Sequence, residues 1–247
     1  MPAGSRIRLA VFSLVLAVAA AAVAQGVTVP FRTHFGLDTV GLPPGLGGEG
    51  QPSGMTVPAG SSVTVVGSAF GLDTQPVEVD APNGAATWLN WNLVPAVADV
   101  GVEIRFSASF ASAYSGIFFD AAGTGGVKVR LRTTAAGELT VSDGCSATPL
   151  GSYTPGTPVD VVVQFAPPSS IWVIADGEND GFDDNVPVAG EICNPGNLNA
   201  LHVYAWGTLD DAATAAFDDL EVEWLPIFAD DFESSDTAAW SLEQPAP

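Results

Sequence analysis

The 247 residues carry 28 acidic against 7 basic side chains, a formal charge of −21, and 47% of them are hydrophobic. So acidic a chain cannot approach nucleic acid or an anionic membrane through its overall field. Its Val, Phe and Trp content and net apolar character exclude a disordered acidic segment.

In chain order the first element is an export signal. Arg6 and Arg8 precede an apolar stretch, Leu9 to Ala24, broken only by Ser13 and ending in Ala22-Val23-Ala24 before Gln25. Basic, apolar and small-x-small segments in that order read as a cleavable secretory signal over residues 1–24. The run is shorter than the roughly 20 residues of a spanning helix, and no second one follows, so membrane insertion is not expected. The two arginines are not adjacent and no Cys follows the cut, against a twin-arginine signal and a lipid anchor. The expected location is secreted: extracellular, cell surface or periplasm. Loss of the signal removes two basic residues, leaving five against 28 acids and a balance of −23.

Residues 25–226 are expected to form one β domain, with 227–247 an acidic tail beyond Pro226. Phe35-Gly36-Leu37-Asp38-Thr39 recurs as Phe70-Gly71-Leu72-Asp73-Thr74, which reads as a coincidence or as two similar corners, not as a repeat architecture. Residues 41 to 60, rich in Gly and Pro, read as a long loop. Trp88, Asn90 and Asn92 alternate with Leu89, Trp91 and Leu93. Val102, Ile104, Phe106, Ala108 and Phe110 alternate with polar and charged residues, as do Val127, Val129 and Leu131 with Lys128, Arg130 and Arg132. Pro158–Phe165 and Ile171–Ala175 flank a Pro-Pro turn, and Leu201–Trp206 and Phe217–Trp224 are the last strong strands. Short period-two strands divided by Gly, Pro and Asp indicate an all-β, antiparallel sandwich or barrel.

Cys145 and Cys193 are the only cysteines, and in an exported chain they are expected to form a disulfide. Their spacing lacks the clustering of zinc ligands.

The succession Val102–Ser107, Gly116–Asp120, Val127–Arg132, Gly137–Val141, Leu150–Gly156, Ile171–Gly177 and Phe217–Val222 resembles laminin-G-like domains. These belong to the concanavalin-A-like lectin and glucanase jelly rolls, so the resemblance implies a two-sheet antiparallel β-sandwich. It covers roughly residues 100 to 224. The tail from Phe228 to Ser241 resembles a short acidic motif of exported bacterial proteins, with Asp231 and Ser235 in place of its two glycines. A solvated acidic tail is the alternative.

Several clusters compete as sites. Asp176, Glu178, Asp180 and Asp184, with Gly181 at the sixth position, offer oxygen ligands in the alternation a calcium loop uses. Pro187 stands where an EF-hand carries its Glu, and an acidic hairpin is the other reading. Asp218 and Asp219 open the closing strand; the resemblance to carbohydrate-binding sandwiches implies a structural calcium there, though the entry segment Thr33–Thr39 has no matching Glu, and the simpler reading is charge that blunts an edge. Asp219, Glu221 and Glu223 resemble the carboxylate row of laminarinase-type glycosidases, whose retaining chemistry needs two acids ~5–5.5 Å apart, against the simpler reading of a solvent face. No catalytic residue is assigned. His202, Tyr204 and Trp206 on one strand, and Trp88, Asn90 and Asn92 on another, are either core or a sugar platform of stacking rings and hydroxyl-bonding amides. Lys128, Arg130 and Arg132 share one strand face, to pair with surplus acids or to grip an anionic ligand.

The reading that follows is a secreted, non-catalytic binding domain for a glycan or another surface macromolecule. Its expected partner is a polysaccharide or glycoconjugate, and calcium its expected ion. A glucanase-type hydrolase and a structural or adhesive cell-surface protein are the alternatives.

Overall fold

A computed structural model describes residues 26–225, except 34, 83, 99, 112–116, 124–125, 143, 167–169, 177–187, 192 and 209–210. The described residues form fifteen strands and one short 3₁₀ turn, Phe35–Leu37. The strands are β1 (Phe31–Thr33), β2 (Gly54–Thr56), β3 (Ser62–Val65), β4 (Val77–Ala81), β5 (Ala86–Val97), β6 (Val102–Phe110), β7 (Ile117–Gly123) and β8 (Gly126–Thr133). They continue as β9 (Glu138–Ser142), β10 (Ala147–Ser152), β11 (Val159–Ala166), β12 (Ser170–Asp176), β13 (Val188–Glu191), β14 (Leu198–Trp206) and β15 (Ala213–Trp224). One sheet runs β13-β12-β11-β6-β15-β4-β3, with β1 also on β15, and the other runs β10-β9-β8-β7-β14-β5-β2. All these pairings are antiparallel.

Alternation decides which face goes inside. In β5, Leu89, Trp91 and Leu93 are buried while Trp88, Asn90 and Asn92 between them are only half-buried. Leu201, Val203 and Ala205 of β14 are buried in the same way between His202, Tyr204 and Trp206. These inward rows meet Val79, Ile104, Val163 and Val222 of the opposing sheet in one core. A small void bounded by Phe106, Phe110, Leu131 and Phe217 has an apolar lining that offers a water no polar partners. Trp91 anchors the N-terminal segment as well as the core: its indole donates to the Gly50 carbonyl at 3.0 Å and to Thr33 Oγ1 at 3.2 Å.

The closing strand differs from its sequence reading. β15 begins at Ala213, so Asp218 and Asp219 lie in mid-strand, and the strand is central in its sheet. The small side chains of Ala213–Ala216 give only a weak alternation signal, which hides the first turn-side half of the strand. A bulge at Asp218–Asp219, with Asp219 at φ 52°, marks where β15 passes from β4 to β1. Asp218 is buried there and blunts no edge. It accepts hydrogen bonds from Thr74 Oγ1 and, at 2.9 Å, from the Asp219 amide. The two echoing segments prove to be corners. Gln75 joins them, donating to the carbonyls of Phe35 (3.4 Å) and Asp38 (3.2 Å).

The bridge Cys145–Cys193 is present, with Cα atoms 5.7 Å apart. Beside it, Lys128 departs from the expected basic face. A bulge opposite Ala121–Ala122 turns its side chain inward, where it is fully buried and donates to the carbonyls of Asn194 (2.5 Å) and Pro195 (3.0 Å). Burial lowers its pKa below the ordinary lysine value. Asn194 in turn donates to the Val127 carbonyl at 3.1 Å. Gly144, at φ 96°, leaves room for this contact, since a Cβ there would stand 2.8 Å from Asn194 Nδ2.

Tyr153 packs edge-on against Phe110, ring centroids 4.8 Å apart, and burial pushes its phenol up to about 12. The unfolded phenol ionises near 10, so this group's contribution is complete below pH 10 and is lost as pH rises through about 12. Stability is expected to fall by on the order of 2–3 kcal/mol across that window. Urea midpoints for Tyr153→Phe should lack that part of the alkaline fall. An identical fall in the variant would assign it elsewhere.

Candidate functional site

The outward face of the seven-stranded sheet gathers residues far apart in sequence. In the β5–β14 register Asn90 stands opposite His202 and Trp88 opposite Tyr204, with Trp206 opposite Ala86. Directly opposed side chains lie about 5 Å apart, so these form two adjoining rows. Along β2, Gly54 and Thr56 extend them, and a Cβ on Gly54 would meet Asn90 Oδ1 at 3.0 Å. Asn90 Nδ2 donates to Asn92 Oδ1 at 3.3 Å, and the Asn92 amide donates to Ser53 Oγ at 2.9 Å, which fixes the edge of the face. Trp206 is 51% exposed, while Trp88, Asn90, Asn92, His202 and Tyr204 are half-buried. The indole that fills the core is Trp91, 1% exposed. Such a surface offers ring faces beside amide and imidazole donors and acceptors.

The same rows continue on the far side of β14. His202 is in register with Asp120 and then Arg130, and Tyr204 with Phe118 and then Arg132. Beyond these stand Ser142 and Thr140 of β9. Arg130 is half-buried and Arg132 exposed.

The outer face of the other sheet has the opposite character. Glu78, Asp80, Glu103, Asp160, Asp219, Glu221 and Glu223 occupy its outward or bulged positions, with only Arg32 and Arg105 among them. Arg32 pairs with Asp219 at 3.1 Å and Arg105 with Glu103. Asp219, Glu221 and Glu223 do not form an even row, because the bulge throws Asp219 out of phase. Glu221 faces Arg105 and Arg32, and Glu223 faces Glu103. None of the three lines the cleft of about 390 Å³ between residues 26–31 and 47–50.

Burial, and next the Asp80 carboxylate, raise the pKa of Glu78 above the usual range. A raised folded value means its contribution is present below the unfolded pKa and lost as pH rises through the folded one. At pH 7 the charge therefore costs stability. Glu78→Gln is expected to melt above the native protein at pH 7, with the gain gone below about pH 4. Thermal scans at both pH values check this, and an equal gain at both would contradict it.

Comparisons with known structures speak to architecture. A sialidase aligns over 68% of this chain and 16% of its own at 13% identity, TM-score 0.52. The cellulose-induced protein Cip1 aligns over 68% and 89% at 15% identity, TM-score 0.50. Peanut lectin aligns over 67% and 90% at 14% identity, TM-score 0.46. The fold is a concanavalin-A-like jelly roll. No protein-family model matches the sequence, and no curated protein does. Likeness at such identity concerns the jelly roll alone and assigns no ligand.

Of the residues singled out for calcium, Asp176 ends β12, and Glu178, Asp180 and Asp184 lie outside the described residues. Among the described residues no group of three His, Cys, Asp or Glu side chains could hold a metal. No helix among them is long and apolar enough to cross a membrane. The signal and the acidic tail also lie outside the described residues.

Sequence reading misses the buried Asp218, the inward Lys128 and the indole bonds of Trp91. Only the last has a signal, since a Trp between Leu89 and Leu93 on an inward row must find an acceptor.

Proposed function

We propose that the chain is an exported, non-catalytic glycan-binding domain of laminin-G-like kind, working through the outward face of β5 and β14. One observation carries this reading: Trp88 beside Tyr204 and Asn90 beside His202 stand in adjoining rows on a solvent face, while a different Trp fills the core. Ring faces would stack on sugar C–H groups, and the amides and imidazole would meet the hydroxyls. The carboxylates that resemble a glucanase row sit on the other sheet, Asp219 paired with Arg32, Glu221 facing Arg105 and Arg32, and Glu223 facing Glu103, which supports binding without turnover.

A glycan array with the mature protein tests the proposal. It should be run with calcium and with chelator, because the stretch of sequence from Asp176 to Asp184 carries carboxylates suited to that ion. Retention of at least one polysaccharide, with no reducing sugar released, is the expected result. Release of reducing sugar would make it a hydrolase, and no retention in either condition would favour a structural role.

A further inference from the structure

We infer that the ligand of this face is an anionic polysaccharide, its carboxylate or sulfate group met by Arg132. This rests on the glycan-binding reading and goes beyond it by naming the ligand's charge. After the signal only Arg32, Arg105, Lys128, Arg130 and Arg132 remain. Lys128 is buried against two carbonyls, and Arg32 and Arg105 are paired with acids on the other sheet. Arg130 and Arg132 both lie on the platform's own sheet, in register with His202 and Tyr204.

Register separates the roles of these two. Arg130 has a carboxylate residue, Asp120, as its neighbour on β7. Arg132 has Phe118 on one side and Thr140 on the other, neither charged, and no ion pair of Arg132 occurs among the described residues. An exposed guanidinium with uncharged register neighbours in so acidic a molecule offers a planar fork to an oxyanion. It lies two strand spacings, about 10 Å, from Tyr204 and three from Trp88, a span that a short oligosaccharide stacked on those rings would cover.

The net charge does not forbid this. The acidic outer face belongs to the other sheet, roughly 10 Å or more away through the sandwich. At physiological salt the screening length is about 8 Å, so the exposed acids of that face, reached through solvent, act weakly here.

The test uses the purified full chain, Arg132→Gln and Trp88→Ala at about 0.15 M salt. The probes are polygalacturonate with its carboxyl-reduced form, and a sulfated galactan with its desulfated form. The native chain should bind one anionic polymer about tenfold more tightly than its neutral counterpart, and the pair that shows this identifies carboxylate or sulfate. Arg132→Gln should bring the anionic form down to the affinity of the neutral one, with unchanged melting. Equal affinity of the native chain within both pairs, with binding still weakened about thirtyfold in Trp88→Ala, would overturn the charge inference and leave the platform standing. Tight anionic binding that survives Arg132→Gln would also overturn it. Binding at undiminished affinity in Trp88→Ala would overturn the platform itself.

Discussion

Trp88→Ala is expected to weaken glycan binding by about 2 kcal/mol, or roughly thirtyfold, while the protein keeps its fold. Its indole lies on the outward face and is half-buried, so truncation removes ligand contact without opening the core. Tyr204 stands directly across from it, and its replacement by Ala should show a smaller loss, because the larger indole face remains to stack on. Trp91→Ala provides the contrast. That side chain is 1% exposed and bonds Gly50 and Thr33, so its loss should cost about 3–5 kcal/mol of stability. Calorimetric titration of folded Trp88→Ala, beside its melting curve, separates the two effects. Full affinity in that variant would remove the stacking role.

Removing the disulfide is expected to cost about 4 kcal/mol, the loop-closure entropy of a bridge spanning 48 positions. For a domain of this size that lowers the melting temperature by roughly 10 °C. Cys193 immediately precedes Asn194 and Pro195, whose carbonyls hold the buried Lys128 ammonium. Freeing this segment therefore also loosens the partners of a buried charge, which places the loss at the full entropic value and not below it. Urea unfolding of the Cys145→Ala/Cys193→Ala double variant measures it. A difference under about 1 kcal/mol would mean that the unfolded chain is already restrained there.

The fold is largely legible in the sequence because period two is a strong signal. Alternation or an apolar run suffices to place β5, β6, β11 and β14, and alternation also turns Trp91 inward. Short or small-residue strands escape it: β1 and β2 have three residues each, and β15 opens with Ala-Thr-Ala-Ala. Bulges are illegible for a different reason. One extra residue sends every later side chain to the opposite face, which is how Lys128 left the row of Arg130 and Arg132. The platform residues can be named strand by strand. That β5 and β14, more than a hundred positions apart, lie side by side cannot be read this way, since alternation within a strand says nothing about its neighbour.

The most direct measurement is a ¹⁵N–¹H NMR titration of the protein with the oligosaccharide selected on the array. The indole signals of Trp88 and Trp206 and the backbone amides of β5 and β14 should shift together and saturate, with Trp91 still. Shifts confined to the acidic outer face around Asp219, Glu221 and Glu223, or to the cleft between residues 26–31 and 47–50, would place the binding site elsewhere.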